Sequence, residues 1–175
     1  MQRSIQPLLL EEEKIPREFG GSLVQGKRKK RRPITTKKPM LFTMRSSYAI
    51  GERSFRRPIF RKFIEQTIVS LSKKFRIKVY ESSINGNHLH LLIRGYDRDG
   101  LRNFFRVLLG LIARKVTGSE RGKPFGKRFW DELAHSRIIG WRRHFKIAVN
   151  YVIQNRLEAA GIIPYTPRKF RPLKF

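Results

Sequence analysis

From Pro58 onward the apolar positions recur with a helical period. Phe60, Phe63, Ile64, Thr67, Ile68, Leu71 and Phe75 fall at i, i+3, i+4, i+7, i+8, i+11 and i+15, with Arg61, Lys62, Glu65, Gln66, Lys73 and Lys74 between them. This is the stripe of an amphipathic helix, and Pro58 suits its first position. Upstream, Met40-Leu41-Phe42-Thr43-Met44 is a short apolar run that reads as a buried strand, and 52–57 as a polar loop. Downstream the period shortens to two. Ile77 and Val79 alternate with Lys78 and Tyr80, Asn85-Gly86-Asn87 marks a tight turn, and His88-Leu89-His90-Leu91-Leu92-Ile93 follows as a second strand. Residues 76–94 therefore predict a hairpin.

Leu101, Phe104, Phe105, Leu108, Ile112 and Val116 mark a second helix, with Asp97 or Asp99 to cap it and Gly118 to end it. A basic loop covers 119–128, and a strand is expected within 133–139. A last helix is expected over 141–159, its buried stripe formed by Phe145, Ala148, Val149, Val152 and Ile153, and Gly161 stops it. The order strand, helix, strand, strand, helix, strand predicts an α+β, ferredoxin-like (βαββαβ) antiparallel sheet with helices on one face, followed by an additional C-terminal helix. Three segments follow: a basic, extended N-terminal arm at 1–39, one folded domain at 40–161, and a basic tail at 162–175.

Charge changes the picture most. Of 175 residues, 40 are Lys or Arg against 13 Asp or Glu, a formal net charge of +27. Such a field recruits polyanions, and neutralising phosphates releases counterions, so nucleic acid leads as partner. No helix pairs a clean basic face with a large apolar one, and no apolar run approaches the ~20 residues of a membrane span. Leu8–Leu10 is too short for a signal-peptide core and runs into Glu11, Glu12 and Glu13, which predicts a chain that stays in the cytoplasm, near the nucleoid. Without cysteine there is no disulfide, thiolate metal site or cysteine nucleophile. The run Lys27-Arg28-Lys29-Lys30-Arg31-Arg32, with Lys37 and Lys38, reads as a phosphate-tracking arm.

The candidate chemistry sits in two short stretches. On a strand, His88 and His90 point to the same face about 7 Å apart, while Leu89 points to the opposite one. On a helix, Tyr151 and Asn155 are one turn apart on a flank of the apolar stripe. Alone, each pair has an ordinary explanation, as structural histidines or as a partly buried tyrosine. Together, two imidazoles and an amide offer a divalent ion three neutral ligands, with positions left for phosphate oxygens. Mg²⁺ and Mn²⁺ are the ions expected, Mn²⁺ being more tolerant of imidazole. Tyr151 is then placed to attack phosphorus.

The stretch Asn87-His88-Leu89-His90-Leu91-Leu92-Ile93 resembles the HUH motif (His, hydrophobic, His) of single-tyrosine transposases. Tyr151-Val152-Ile153-Gln154-Asn155-Arg156-Leu157-Glu158-Ala159-Ala160-Gly161 looks like their catalytic-tyrosine helix. The resemblance is to the REP-associated tyrosine transposases in particular, and extends to Lys37-Lys38-Pro39, Phe129-Trp130-Asp131 and Arg137-Ile138-Ile139, covering about 37–161. It implies an HUH nuclease fold acting on single-stranded DNA beside a hairpin, cleavage to a 5′-phosphotyrosine with a free 3′-OH, and strand transfer by the reverse reaction. It implies His88, His90 and Asn155 as the metal site and Tyr151 as the nucleophile.

Several residues stay open. Arg142 and Arg143 join the arm as expected nucleic-acid contacts; Arg45, Arg94, Arg98 and Arg102 cannot be ranked by sequence. His135 and His144 read as surface groups, and Trp130 and Trp141 as packing residues or base-stacking platforms. A monomer and a homodimer sharing the tyrosine helix are both compatible with the chain. The competing functions are a non-catalytic nucleic-acid-binding module on the same fold and a basic structural protein of a ribonucleoprotein.

Overall fold

Pro58 opens the first helix, α1 (Pro58–Lys74), which buries Ile64, Thr67, Ile68 and Leu71. The second, α2 (Arg98–Thr117), is capped by the Asp97 carboxylate, which accepts the Gly100 N–H at 2.5 Å. It ends at Gly118 in the left-handed conformation (φ 68°), which favours glycine. The third, α3 (Arg143–Ala159), starts two residues later than the sequence pattern suggests. These helices belong to a computed structural model of the chain, which describes residues 18–26 and 31–166.

Five strands form one sheet: β1 (Glu18–Phe19), β2 (Met40–Arg45), β3 (Ile77–Ile84), β4 (His88–Gly95) and β5 (His135–Ile138). The order is β1-β5-β2-β4-β3, and every neighbouring pair is antiparallel. Leaving out β1, this is the α+β ferredoxin-like arrangement, with β2 and β4 central and α1 and α2 as the two crossovers.

Side-chain alternation divides the sheet into two unlike faces. Met40, Phe42 and Met44 of β2 and Leu89, Leu91 and Ile93 of β4 join Ile64, Ile68, Leu101, Phe104, Leu108 and Ile112 in the main core under α1 and α2. Fully burying each such side chain contributes about 1.5–3 kcal/mol, so this face dominates the stability of the fold. The packing is close: a Cβ on Gly95 would lie 2.3 Å from Leu101 Cγ. The opposite parity puts Leu41, Thr43, Arg45, His88, His90 and Leu92 on the other face, where α3 lies against β3 and β4. A small cluster of Leu92, Ile139, Ala148 and Val152 attaches it.

Within the segment read as an extended arm, residues 18–26 and 31–39 are partly built into the fold. Glu18 and Phe19 pair with Arg137 and Ser136 of β5, and the Gly21 N–H donates to Leu133 O at 2.8 Å. Gly20 (φ 92°) lies so close to Ala134 that a Cβ would meet its carbonyl oxygen at 2.2 Å. Arg32 clamps this edge, its guanidinium over the rings of Phe19 (5.0 Å) and Phe42 (5.7 Å), donating to Ala134 O at 2.5 Å. Burial pushes Arg32 down to about 10. The expected contacts Lys27, Arg28, Lys29 and Lys30 lie outside the described residues, as do 1–17 and 167–175. No described helix is long and apolar enough to cross a membrane.

Candidate active site

The hairpin turn is held in place before either histidine is. The Gly86 carbonyl accepts from the Phe55 N–H at 2.8 Å and the Ser54 hydroxyl at 3.1 Å, and the Asn87 carbonyl accepts from the Ser46 N–H at 2.9 Å. Ser46 is fixed in turn by the Phe129 carbonyl (2.5 Å), and Asp131 accepts from the Ser47 N–H and hydroxyl at 2.7 and 2.9 Å. Phe129-Trp130-Asp131 thus braces the end of β2 opposite His88.

From this base β4 projects His88 and His90 to the face of α3. Their ring centroids are 5.0 Å apart, and the Tyr151 ring lies 5.3 Å from His90, edge to face. His90 is 4% exposed. Its Nδ1 meets the Thr43 hydroxyl at 2.9 Å, and His88 Nδ1 meets Asn87 Oδ1 at 2.9 Å. When Nδ1 of each ring donates, the lone pair sits on Nε2, the form a metal ion takes.

Asn155 is 5% exposed and lies in the buried stripe with Ala148 and Val152, whereas the hydropathy pattern placed it on a flank. The sheet beneath this end of α3 is polar, with Ser83 paired to His90, so a polar residue can occupy a buried helical position. The Asn155 amide nitrogen donates to the Tyr151 carbonyl at 2.7 Å, tying the two residues together. Gln154 instead donates to Glu158 at 2.9 Å.

Do these residues suit a divalent ion? Two buried polar atoms beside the histidines, Ser83 Oγ and Asn85 Nδ2, have no hydrogen-bond partner. An orphaned donor or acceptor costs free energy unless a ligand or water completes it, so this corner of the sheet is suited to taking one in. Among the described residues no three His, Cys, Asp or Glu side chains cluster as a metal cage. The neutral amide oxygen suits a hard ion and the His pair one that also accepts imidazole, as Mn²⁺ does more readily than Mg²⁺; an ion held by neutral groups keeps its full charge.

The other expected residues fall into two places away from the histidines. Arg31 and Arg32 line a hollow with Leu101, Arg102 and Phe105 on the α2 side of the sheet. Lys37, Lys38, Arg142 and Arg143 are exposed; Arg142 and Arg143 start α3, about 13 Å along the helix from Tyr151, and Lys37 O accepts from Trp141 Nε1 beside them. Trp130 packs on Phe55 and Phe129 with its Nε1 donating to Leu109 O at 3.1 Å, whereas Trp141 is 41% exposed. His135 shares its register row with Thr43 and lies 3.9 Å from Glu18. Burial lowers its pKa, Glu18 raises it, and Arg32 and Arg137 lower it further.

Thr43 and Ser83 carry no site signal in the sequence, and Asn85 and Asn87 read there as turn residues and not as partners of the histidines. The nearest to a signal is a hydroxyl interrupting otherwise apolar strand positions, as at Thr43.

No protein-family model matches the chain, and no curated protein does. Solved structures do. One is a crystal structure of a transposase candidate from Deinococcus radiodurans, at 13% identity over 74% of this chain and 98% of that one, with a TM-score of 0.43. Another is a REP-associated tyrosine transposase bound to a REP hairpin, at 14% identity over 75% of this chain and 73% of that one, with a TM-score of 0.57. The resemblance first read from the two short motifs is therefore matched in three dimensions: the chain has the fold of a REP-associated tyrosine transposase.

Proposed function

We propose that the protein is a metal-dependent, single-tyrosine DNA endonuclease and strand transferase of the transposase type, acting on single-stranded DNA at or near hairpins. The observation that carries this reading is the convergence of His88, His90 and Tyr151 on one face, with Asn155 bonded to the Tyr151 carbonyl. A nucleic-acid-binding module has no need to gather these four. That a protein of the same fold is solved with a REP hairpin supports DNA as the substrate.

The chemistry is one exchange of phosphodiester bonds. Tyr151 Oη attacks the scissile phosphorus; the Oη–P bond forms and the P–O3′ bond breaks. The phenol proton is given up to solvent and the departing 3′ oxygen takes one up. The product is a 5′-phosphotyrosine and a free 3′-OH, with no water consumed, so a second 3′-OH can reverse the step and join a new strand. Thr43 and Asn87 orient the two imidazoles, and the Asn155–Tyr151 bond keeps the amide in register with the nucleophile. A Mg²⁺ or Mn²⁺ ion held by His88, His90 and Asn155 would polarise the phosphate and stabilise its developing charge. The chain's net positive charge holds the strand.

The test is a labelled single-stranded DNA carrying a hairpin, incubated with protein and Mg²⁺ or Mn²⁺ and resolved under denaturing conditions. A protein–DNA adduct is expected from the wild type and none from Tyr151→Phe. Binding without an adduct over a range of hairpins would leave a non-catalytic module, and an adduct from Tyr151→Phe would reassign the nucleophile.

A further inference from the structure

At the other end of β4 the same face carries an alternation of aromatic rings and cations that the reaction does not use. The Arg94 guanidinium lies between the rings of Tyr96 (5.4 Å) and Trp141 (5.9 Å). Arg76 lies over Tyr96 at 5.7 Å, and Lys78 over Tyr80 at 5.2 Å. Tyr80 and Phe145 brace Trp141 at 6.2 and 5.4 Å. Trp141 Nε1 donates to Lys37 O at 3.2 Å, which pins the ring without covering it.

Tyr96 is 55% exposed. Core rings such as Phe55 and Phe104 are fully covered; Tyr96 and Trp141 keep much of their rings open to solvent, Trp141 being pinned by its neighbours. Among the described residues none of Lys37, Lys38, Arg76, Lys78, Arg94, Arg142 or Arg143 is in an ion pair. Arg94 Nε has no hydrogen-bond partner. Charge without a counter-charge, beside open ring faces, calls for a ligand that brings both phosphates and flat bases.

We propose that Tyr96 and Trp141, with Arg94 between them, form a second contact for single-stranded DNA, stacking unpaired bases and holding the adjoining phosphates about 20 Å along β4 from His88. The proposal rests on the reading that the chain acts on DNA, though not on its being a nuclease. A duplex keeps its bases stacked on one another and offers these rings nothing. The platform therefore selects the unpaired strand and fixes where it runs relative to Tyr151.

The experiment uses Tyr151→Phe protein with a chelator, so that cleavage plays no part. A short oligothymidylate is titrated while tryptophan emission and probe anisotropy are followed. Trp130 is partly buried and tied to Leu109 O through its Nε1, so quenching that disappears in Trp141→Leu is the quenching of Trp141. Quenching by oligothymidylate, absent with a blunt duplex, is expected. Tyr96→Ala and Trp141→Leu should each weaken binding roughly 5- to 150-fold per lost stack with the salt dependence unchanged. Arg94→Gln should lower the salt slope by about one.

No quenching, or affinities within twofold of the parent, overturns the proposal, as does equal quenching by the duplex. Tighter binding and deeper quenching by oligouridylate would overturn the assignment to DNA. If Trp141→Leu fails to fold by circular dichroism, the parent's quenching and exposed Tyr96→Ala still decide. Failure of the adduct assay would leave this test standing, and failure here would leave the adduct assay standing.

Discussion

Replacing Thr43 by valine separates the histidine's orientation from everything else around it. Valine keeps the β-branched shape that suits a strand and fills nearly the same space. It removes one group, the hydroxyl 2.9 Å from His90 Nδ1. Because His90 is buried, water does not readily replace that partner, and the loss should lie near ~1 kcal/mol, a shift of a few degrees in Tm for a domain of this size.

The effect on metal binding should be larger. An outer partner of a ligating histidine typically contributes 10- to 100-fold in affinity, or about 1.4–2.8 kcal/mol, because it sets the tautomer and holds the ring. Calorimetric or electron-paramagnetic titration of Mn²⁺ into wild type, Thr43→Val and Thr43→Ser reads this directly. Serine restores the hydroxyl and should recover most of the affinity. Thr43→Val affinity within twofold of wild type, in a folded protein, would refute the role of Thr43 and the assignment of His90 as a ligand through Nε2.

Two further predictions concern the fold. Gly95→Ala puts a methyl 2.3 Å from Leu101 Cγ at the junction of β4 and α2, and overpacking of this kind costs about 1–3 kcal/mol, measurable by urea unfolding. His135 has a folded pKa lowered by burial, so the unfolded chain binds more protons in the window below 6.5. Stability should be fully present above that value and fall as pH drops through the folded pKa; His135→Asn should flatten Tm between pH 5 and 7.

What was legible in the sequence was whatever one element could announce alone. The stripe from Phe60 to Phe75, the Asn85-Gly86-Asn87 turn and the Asp97 cap are local, and each element they mark forms. Strand β1 is two residues long, with no period to read; it exists because its backbone pairs with Arg137 and Ser136 and Phe19 finds Arg32, partners far along the chain. Asn155 was placed on a flank because hydropathy treats a buried polar residue as a surface one. Thr43 and Ser83 acquire meaning only from the register that sets both opposite His90. The aromatic platform likewise needs Tyr96 and Trp141, distant in sequence, to reach the same edge.

The two faces of the sheet are attached with unequal strength, and this has a consequence for motion. Under α1 and α2 lies a continuous core, whereas α3 is held by the smaller cluster of Leu92, Ile139, Ala148 and Val152, with Leu41, Tyr80, Phe145, Val149 and Tyr151 partly buried against it. Opening free energies in a folded protein follow such differences in buried apolar contact. The helix bearing Tyr151 should therefore open at less cost than global unfolding while β4 keeps both histidines in place, which amide exchange along α3 would read. Tyr151 thus rides on the less firmly held layer of the molecule, and His88 and His90 on the firmer one.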